Sequence, residues 1–184
     1  IGLASDRATV LPNRGPGIFV ADTATNTVIG GNTARYRNVI SGNSGNGIVI
    51  SGDGTNVLGN YIGVTADGSS VVGNMNNGIL LSSGATNTMI GGATASTGAP
   101  PGNFIAGNKF YGIRINGLGT AENRVYGNKI GSFVNPPFDN DSTAILISVC
   151  AIYTYIGSNT DSTGNDVSTG VPVTASETTG DQLQ

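Results

Sequence analysis

The acidic side chains best placed to do chemistry are Asp22 and Asp53, because each follows a copy of one short apolar stretch by a few residues. If those stretches are neighbouring strands, the two carboxylates lie about 5 Å apart, a separation that suits a retaining glycosidase or a shared Ca²⁺ ion. Asx turns are the simpler interpretation, and the pair Asp53-Gly54 favours one. We therefore expect no cofactor and no metal site, with Ca²⁺ as the one ion that these residues leave open.

Basic side chains are concentrated in one part of the chain, at Lys109, Arg114, Arg124 and Lys129. Arg114 stands between two isoleucines of an apolar stretch, so strand alternation directs it outward. There it would serve a polysaccharide lyase as a base or a charge neutraliser. The alternative is a basic surface patch that pairs with Glu122 or binds an acidic polymer weakly. Asp22, Asp53 and Arg114 are the candidate catalytic residues, and a chain without catalysis is the expectation.

Composition excludes several other chemistries. The 184 residues include no histidine, which rules out Ser-His-Asp catalysis and His-ligated zinc. The single cysteine, Cys150, lies in an apolar run and is expected to be a buried, inert thiol. A net charge of -3 gives no footprint for nucleic acid, and no apolar run approaches ~18 residues. We therefore expect neither a nucleic-acid partner nor a membrane span.

A repeat positions these residues. The chain has 30 glycines but only 10% charged residues, and one short apolar strand recurs five times, at spacings of 30–34 residues. The copies are Gly17–Val20, Gly47–Ile50, Gly78–Leu81, Gly112–Ile115 and Ala144–Ile147. Such a period indicates one coil of a solenoid per copy, with coils about 4.8 Å apart. We predict an all-β fold, a right-handed parallel β-helix (β-solenoid) of about five coils.

Asparagines at fixed offsets from these strands predict stacked ladders. One set stands four residues before each strand: Asn13, Asn43, Asn74, Asn108 and Asn140. A second set stands eight residues after the first isoleucine of three strands: Asn26, Asn56 and Asn87. Asparagines at the coil spacing can hydrogen-bond to one another and to the adjacent backbone, so each coil satisfies polar groups of the next. We expect both sets to be structural ladders.

Strand alternation also predicts an outward column on the repeated strand, and this column is apolar except at its fourth position. Its members are Phe19, Val49, Leu80, Arg114 and Leu146. A continuous apolar strip on a sheet face is unusual for an isolated monomer. It indicates contact with the chain's own loops, with a flanking domain or with another copy of the chain. We expect this column to be the interaction face.

The phrases NVISGN, GNGIVISG, GNYIG and NTMIGG resemble the repeats of right-handed parallel β-helix regions, of pectate-lyase-like architecture, in large secreted or surface-anchored bacterial proteins. The resemblance covers roughly residues 13–157 and implies an extracellular or cell-surface location. This architecture hosts polysaccharide lyases, hydrolases, tailspikes, adhesins and non-catalytic spacers, so it leaves the function open. A threonine column likewise resembles the ladders of antifreeze solenoids, at Thr25, Thr55, Thr86 and Thr120.

These observations predict a β-helix domain over residues 1–158, followed at 159–184 by a Ser/Thr/Gly-rich linker, exit segment or donated strand. The strand candidate lies at 170–175. For function we expect a non-catalytic structural or adhesive module that extends a surface protein or self-assembles into a fibre or layer. Its partners would be other copies, flanking domains of a longer chain, or polysaccharide. The alternatives are a carbohydrate-active or carbohydrate-binding β-helix, and a module that binds ice or mineral surfaces.

Overall fold

The structure, a computed structural model, describes residues 1–6, 9–131, 139–148 and 151–157, together with three short strands beyond them. Nearly all its regular elements are β-strands of two to four residues. A single turn of 3₁₀ helix covers Ala34–Tyr36. In the part of the chain that is described, no helix is long and apolar enough to cross a membrane.

The strands form three parallel sheets, and successive strands along the chain enter sheets 1, 2 and 3 in turn. Sheet 1 contains β1 (Ile18–Val20), β4 (Ile48–Ile50), β7 (Ile79–Leu81), β10 (Ile113–Asn116), β13 (Ile145–Ser148) and β16 (Val173–Ser176). Sheet 2 contains β2 (Val28–Gly30), β5 (Asn56–Leu58), β8 (Met89–Gly91), β11 (Arg124–Tyr126), β14 (Tyr155–Ile156) and β17 (Gln182–Leu183). Sheet 3 contains β3 (Val39–Ile40), β6 (Tyr61–Ile62), β9 (Phe104–Ile105), β12 (Lys129–Ile130) and β15 (Asp166–Val167).

Each group of three strands is therefore one coil. Four turns lead from β1 to β13, and β16 begins a further one. The register is regular, since Ile18 pairs with Ile48 and Ile48 pairs with Ile79. The predicted all-β parallel β-solenoid is confirmed.

The core is a column of aliphatic side chains between the three sheets. Ile48, Ile79, Ile113 and Ile145 line it from sheet 1 and have no exposed surface. Sheets 2 and 3 each add one row of aliphatic side chains to this core. Ile90 belongs to the row from sheet 2, and Ile105 belongs to the row from sheet 3. A buried isoleucine contributes roughly 1.5–3 kcal/mol, and β-branched residues suit the narrow space between sheets. The rest of the coil is largely turn, where glycine and asparagine dominate.

Two antiparallel hairpins project from the stack, two coils apart. Leu3 bridges Val10 in the first, and Val64 bridges Val71 in the second. Each hairpin follows an Ile-Gly pair at a strand position of sheet 3. An open groove of about 530 Å³ is lined by residues of both hairpin segments and by Met75.

Beyond residue 158 the structure describes β15, β16 and β17, which pair with β12, β13 and β14. The segment expected to be a linker, an exit segment or a donated strand thus continues all three sheets. The strand candidate at 170–175 overlaps β16. Cys150 and residue 158, the predicted domain boundary, lie outside the described residues.

Candidate functional site

The first predicted ladder runs through five coils along the corner between sheets 3 and 1. Four side-chain bonds, each from Nδ2 to the Oδ1 of the next coil's asparagine at 2.8–2.9 Å, join Asn13, Asn43, Asn74, Asn108 and Asn140 in order. Three of the backbone N–H groups donate to the same oxygens, at 3.1–3.3 Å. The four later rungs are buried, whereas Asn13 is exposed. These side chains are therefore committed to the contact between coils.

A second ladder, which the sequence analysis missed, follows the corner between sheets 2 and 3. It is formed by Asn38, Asn60, Asn103 and Asn128, with Nδ2 to Oδ1 distances of 2.8–3.1 Å. Each of these asparagines stands two residues before a buried isoleucine of sheet 3, so the signal was the phrase Asn-x-Ile. Its irregular spacing of 22, 43 and 25 residues hid the alignment. Long insertions such as 92–102 in alternate coils cause that irregularity.

The prediction that the other set, Asn26, Asn56 and Asn87, forms a ladder is wrong. Asn56 lies within β5 and pairs with Val28 and Met89 in the neighbouring coils. The cause is the turn between sheets 1 and 2, which spans residues 21–27 and 82–88 in two coils but only 51–55 between them. Because the turn at 51–55 is shorter, the same offset of eight residues from the first isoleucine falls beyond the corner in this coil, at Asn56. The three asparagines do not form a ladder.

At the corner between sheets 1 and 2, the residues that align from coil to coil share a backbone conformation instead of a ladder of side chains. Bridges join Thr25 to Asp53, Asp53 to Thr86 and Thr86 to Ala121, and the residue after each has a positive φ. These residues are Asn26 (52°), Gly54 (65°), Asn87 (51°), Glu122 (58°) and Tyr153 (52°). The left-handed region suits glycine and asparagine and disfavours other side chains. Asn26 and Asn87 are therefore exposed corner residues with a conformational role.

The predicted threonine column is also broken. Thr25 and Thr86 are aligned, but Asp53 and Ala121 occupy the same column in the second and fourth coils. Thr55 and Thr120 are fully buried. The flat threonine surface that ice binding would need is not formed.

The outer strip of sheet 1 is present as a straight column. The pairings align Phe19 with Val49, Val49 with Leu80, Leu80 with Arg114, and Arg114 with Leu146. Phe19 is 62% exposed, and the other four side chains are half-buried. Four apolar side chains at the strand spacing thus form a continuous strip with one cation in it.

Arg114 lies in that strip between Leu80 and Leu146, and its guanidinium carbon is 5.8 Å from the centre of the Tyr111 ring. Its Nε is buried and has no hydrogen-bond partner. Among the described residues, Arg114 forms no ion pair. The structure therefore places an unpaired cation against apolar and aromatic groups on an outward face.

The two acidic candidates differ in their surroundings. Asp22 is exposed in the turn after β1. The Asp53 carboxylate accepts hydrogen bonds from the Thr86 hydroxyl at 2.7 Å and from Asn87 Nδ2 at 2.8 Å. The bond from Asn87, followed by that from Thr86, lowers the pKa of Asp53. A lowered pKa suits a fixed acceptor between coils and is opposite to the shift expected for a general acid.

Other charged groups are engaged locally. Lys109 forms an ion pair with Asp141 on the next coil at 2.8 Å, which raises the pKa of the lysine. Lys129 lies over the Phe104 ring, and Arg37 lies over the Tyr61 ring. Within the described ranges, no three acidic or cysteine side chains converge as metal ligands.

With the fold and these groups in place, the chain was compared with protein-family models, curated proteins and solved structures, and none of the three comparisons gave a match.

Proposed function

We propose that this chain is a non-catalytic structural or adhesive module of an extracellular or cell-surface protein. It would be of the right-handed parallel β-helix kind that builds rods in large bacterial repeat proteins. The observation that supports this most directly is the pair of asparagine ladders. They connect coil to coil along two corners, so the polar side chains that recur in this sequence support the rod itself.

The ladders provide a reason for rigidity. Each inner asparagine of the two ladders binds both neighbouring coils, and its loss would leave buried polar groups unsatisfied on either side. Shearing one coil against the next would break these bonds together with the sheet ladders. A rod held in this way suits a spacer that keeps a domain away from a surface.

The adhesive role is assigned to the strip Phe19–Val49–Leu80–Arg114–Leu146. Four aligned apolar side chains, one of them 62% exposed, favour contact with another molecule over solvation. A flat sheet face is suited to a second rod or a flanking domain, because both present similarly flat surfaces. Arg114 would then require an acceptor on that partner.

A product assay and an adhesion assay together test this proposal. The chain is incubated with neutral and acidic polysaccharides, and released reducing ends and unsaturated products are measured. We expect no release, and release that disappears in Arg114→Ala would overturn the non-catalytic assignment.

For the adhesive face, Leu80→Ser is compared with Leu80→Met in lateral association of the chain or its retention on a surface. The serine variant should lose association, while methionine, which keeps apolar area, should retain it. Equal behaviour of the two variants would contradict the assignment of this face.

A carbohydrate-binding or carbohydrate-active β-helix is the second candidate, and Arg114 is the observation that favours it. An unpaired guanidinium beside Tyr111 could bind the carboxylate of an acidic sugar while the ring contacts the sugar face. Calorimetric titration with acidic and neutral oligosaccharides distinguishes this candidate. Binding of the acidic sugar that is lost in Arg114→Ala would support it, and equal binding by wild type and variant would exclude Arg114 as the contact.

A further inference from the structure

Three asparagines of this chain directly precede a glycine: Asn46, Asn77 and Asn116. In such a pair the backbone nitrogen of the glycine can attack the side-chain carbonyl carbon (Cγ) of the asparagine and close a five-membered ring. Glycine favours this attack because it has no Cβ to crowd the nitrogen and because its backbone has the widest conformational freedom. The three pairs can therefore be compared as sites of one spontaneous reaction.

Two of the pairs are held within the stack. The Gly47 N–H donates to the Asn77 carbonyl of the next coil at 2.9 Å. The Gly78 N–H likewise donates to the Tyr111 carbonyl at 2.9 Å. Their carboxamides are also held, because Asn77 Nδ2 donates to Asn46 Oδ1 at 2.8 Å and Asn77 Oδ1 accepts from the Tyr111 N–H at 3.3 Å. Attack at either pair would first have to break hydrogen bonds between coils.

The third pair lacks these restraints. Asn116 is the last residue of β10, and Leu118 in the turn that follows is 84% exposed. Thr120 closes this turn, since its N–H donates to the Gly117 carbonyl and its hydroxyl donates to the Asn116 carbonyl. In the part of the chain that the structure describes, the Gly117 N–H has no acceptor, and the Asn116 Oδ1 is buried without a hydrogen-bond partner. Both reacting groups of this pair are thus free of contacts between coils.

Two aspartates also precede a glycine, and they show the same restraint. The N–H of Gly54, after Asp53, donates to the Thr86 carbonyl at 2.9 Å. The N–H of Gly68, after Asp67, donates to the Thr65 carbonyl at 2.9 Å. Among these five pairs, the described hydrogen bonds leave only the nitrogen at position 117 without an acceptor.

We propose that Asn116 is a site of spontaneous deamidation, and that the reaction places a carboxylate beside Arg114 on the outer face of sheet 1. The nucleophile is the Gly117 backbone nitrogen, and the only co-reactant is water. The modification deepens the proposed function, because it changes the charge of the strip to which the adhesive role is assigned. Its effect on adhesion rests on that proposed role, whereas the reaction itself does not.

The reaction proceeds in two balanced steps. Hydroxide takes the amide proton of Gly117, and the nitrogen forms a bond to Asn116 Cγ. The bond from Cγ to Nδ2 breaks, and that nitrogen takes its electron pair and a proton from water to leave as ammonia. Water then adds to one carbonyl of the resulting succinimide and breaks one of its two C–N ring bonds. Cleavage at the side-chain carbon gives aspartate, cleavage at the main-chain carbon gives isoaspartate, and either product has one carboxylate in place of the amide.

The new carboxylate would lie on the same face as an unpaired cation. Burial alternates along β10, so Arg114 and Asn116 both face outward, about 7 Å apart along the strand. The Arg114 Nε is buried without a partner, and the guanidinium forms no ion pair with any described residue. A carboxylate at position 116 is within reach of this long side chain and would form a charge-assisted hydrogen bond with it. Deamidation therefore withdraws the cation of the strip from contact with another molecule.

The reaction is tested by storing the full chain in mildly alkaline buffer and following the three asparagine pairs by proteolytic digestion and mass spectrometry. Conversion adds the mass difference between an acid and an amide, and chromatography separates isoaspartate from aspartate. We expect Asn116 to convert at least about tenfold faster than Asn46 and Asn77, whose glycine nitrogens must first lose a hydrogen bond. In denaturant, where the stack is absent, the three rates should become similar.

Two results would overturn the site. One is an equal rate at all three pairs in the folded chain, which would mean that the contacts between coils give no protection. The other is an Asn116 that stays intact in the folded chain while the unfolded chain converts.

The pairing with Arg114 is tested separately with Asn116→Asp and Asn116→Gln, since only aspartate supplies a carboxylate. Asn116→Asp should lower the melting temperature less in the wild-type background than in Arg114→Met, because only the wild type offers a cation to the new carboxylate. Equal effects in the two backgrounds would overturn the pairing and leave the modification standing.

Surface retention then tests the consequence for adhesion. Retention should fall in Asn116→Asp and in the aged wild type, and it should persist in Asn116→Gln before and after the same storage. Equal retention of the two variants would overturn the control of the strip by this site. A fresh wild type that is not retained at all would instead refute the adhesive role, while the rates and melting temperatures still decide the modification and the pairing.

Discussion

The two corners that flank sheet 1 turn the chain by different means. The corner between sheets 3 and 1 is defined by side-chain chemistry, since the same residue type recurs and every inner rung is buried and hydrogen-bonded to its neighbours. The corner between sheets 1 and 2 is defined by backbone conformation, since five different coils place a positive φ there with four residue types. One corner specifies a residue type, and the other specifies chiefly a backbone dihedral angle.

This difference predicts where the solenoid tolerates substitution. At the ladder corner a change removes partners from the coils above and below, so its cost includes buried groups left unsatisfied. At the exposed corner a change mainly alters the preference of one residue for the left-handed region, although Asn87 also donates a hydrogen bond to Asp53 of the preceding coil. That tolerance explains how Glu122 and Tyr153 can stand where earlier coils have asparagine or glycine.

The largest effect should come from the ladder corner, in Gly73→Ala. Gly73 precedes Asn74, and a Cβ there would overlap the carbonyl oxygen of Gly107 in the next coil. Backbone atoms of a stacked coil cannot move aside, so we expect a loss of about 3 kcal/mol or more in the free energy of unfolding. Gly15→Ala is the matched control, because nothing lies within 4 Å of its Cβ position. Denaturant unfolding of both variants measures the effect, and similar midpoints would refute the close approach.

Asn74→Ala should have the next largest effect. Asn74 accepts from the Asn43 side chain at 2.8 Å, donates to the Asn108 side chain at 2.9 Å and donates to the Ile40 carbonyl at 3.1 Å. Its loss leaves buried donors and acceptors on two coils, for a cost of about 3 kcal/mol. Asn32→Ala, at an exposed asparagine, should cost a few tenths of a kcal/mol at most. Equal melting temperatures for the two variants would contradict the ladder's role in stability.

The fold could be predicted from the sequence because its main signal is a repeat. A short strand that begins with Gly-Ile in four of its five copies returns at nearly equal spacing, and so does the asparagine four residues before it, so register and inward faces follow directly. Phe19 and Leu80 could be placed on one outward column for the same reason. The alternation of inward and outward side chains and the repeated motif both lie within one short strand, and no insertion interrupts that strand.

Prediction of the other features from the sequence failed where loop length varies between coils. The shorter turn at 51–55 moved Asn56 into a strand, and insertions of different length concealed the alignment of Asn60 with Asn103. The partners of Asp53 could not be predicted either, because Thr86 and Asn87 approach it from the next coil. Contacts across coils depend on the geometry of turns, and counting residues does not reveal that geometry.

At the exposed corner, Tyr153→Asn should stabilise the protein. Tyr153 has φ 52° and is 62% exposed, so its ring contributes little burial while its backbone is in a region unfavourable for tyrosine. Asparagine adopts this region readily, and we expect a gain of up to about 1 kcal/mol. Tyr153→Phe, which keeps the strain, should leave the melting temperature unchanged. A loss of stability in Tyr153→Asn would indicate that the tyrosine makes a contact worth more than the strain.

The smallest effect should be the pH dependence of Asp53→Asn. Hydrogen bonds from Asn87 and Thr86 lower the pKa of the folded-state carboxyl below its usual value of about 3.9. The ionised carboxylate therefore stabilises the fold above that value, and this contribution is lost as the pH falls through the lower, folded-state pKa. The difference in melting temperature between wild type and variant should accordingly be constant above about pH 5 and shrink as the pH falls below about 3.9. Because Asp67 titrates in both chains, with a pKa of about 2, it cancels in the difference. A difference that stays constant with pH would mean that Asp53 acts through the shape of its turn, and the exposed corner would then depend on backbone conformation alone.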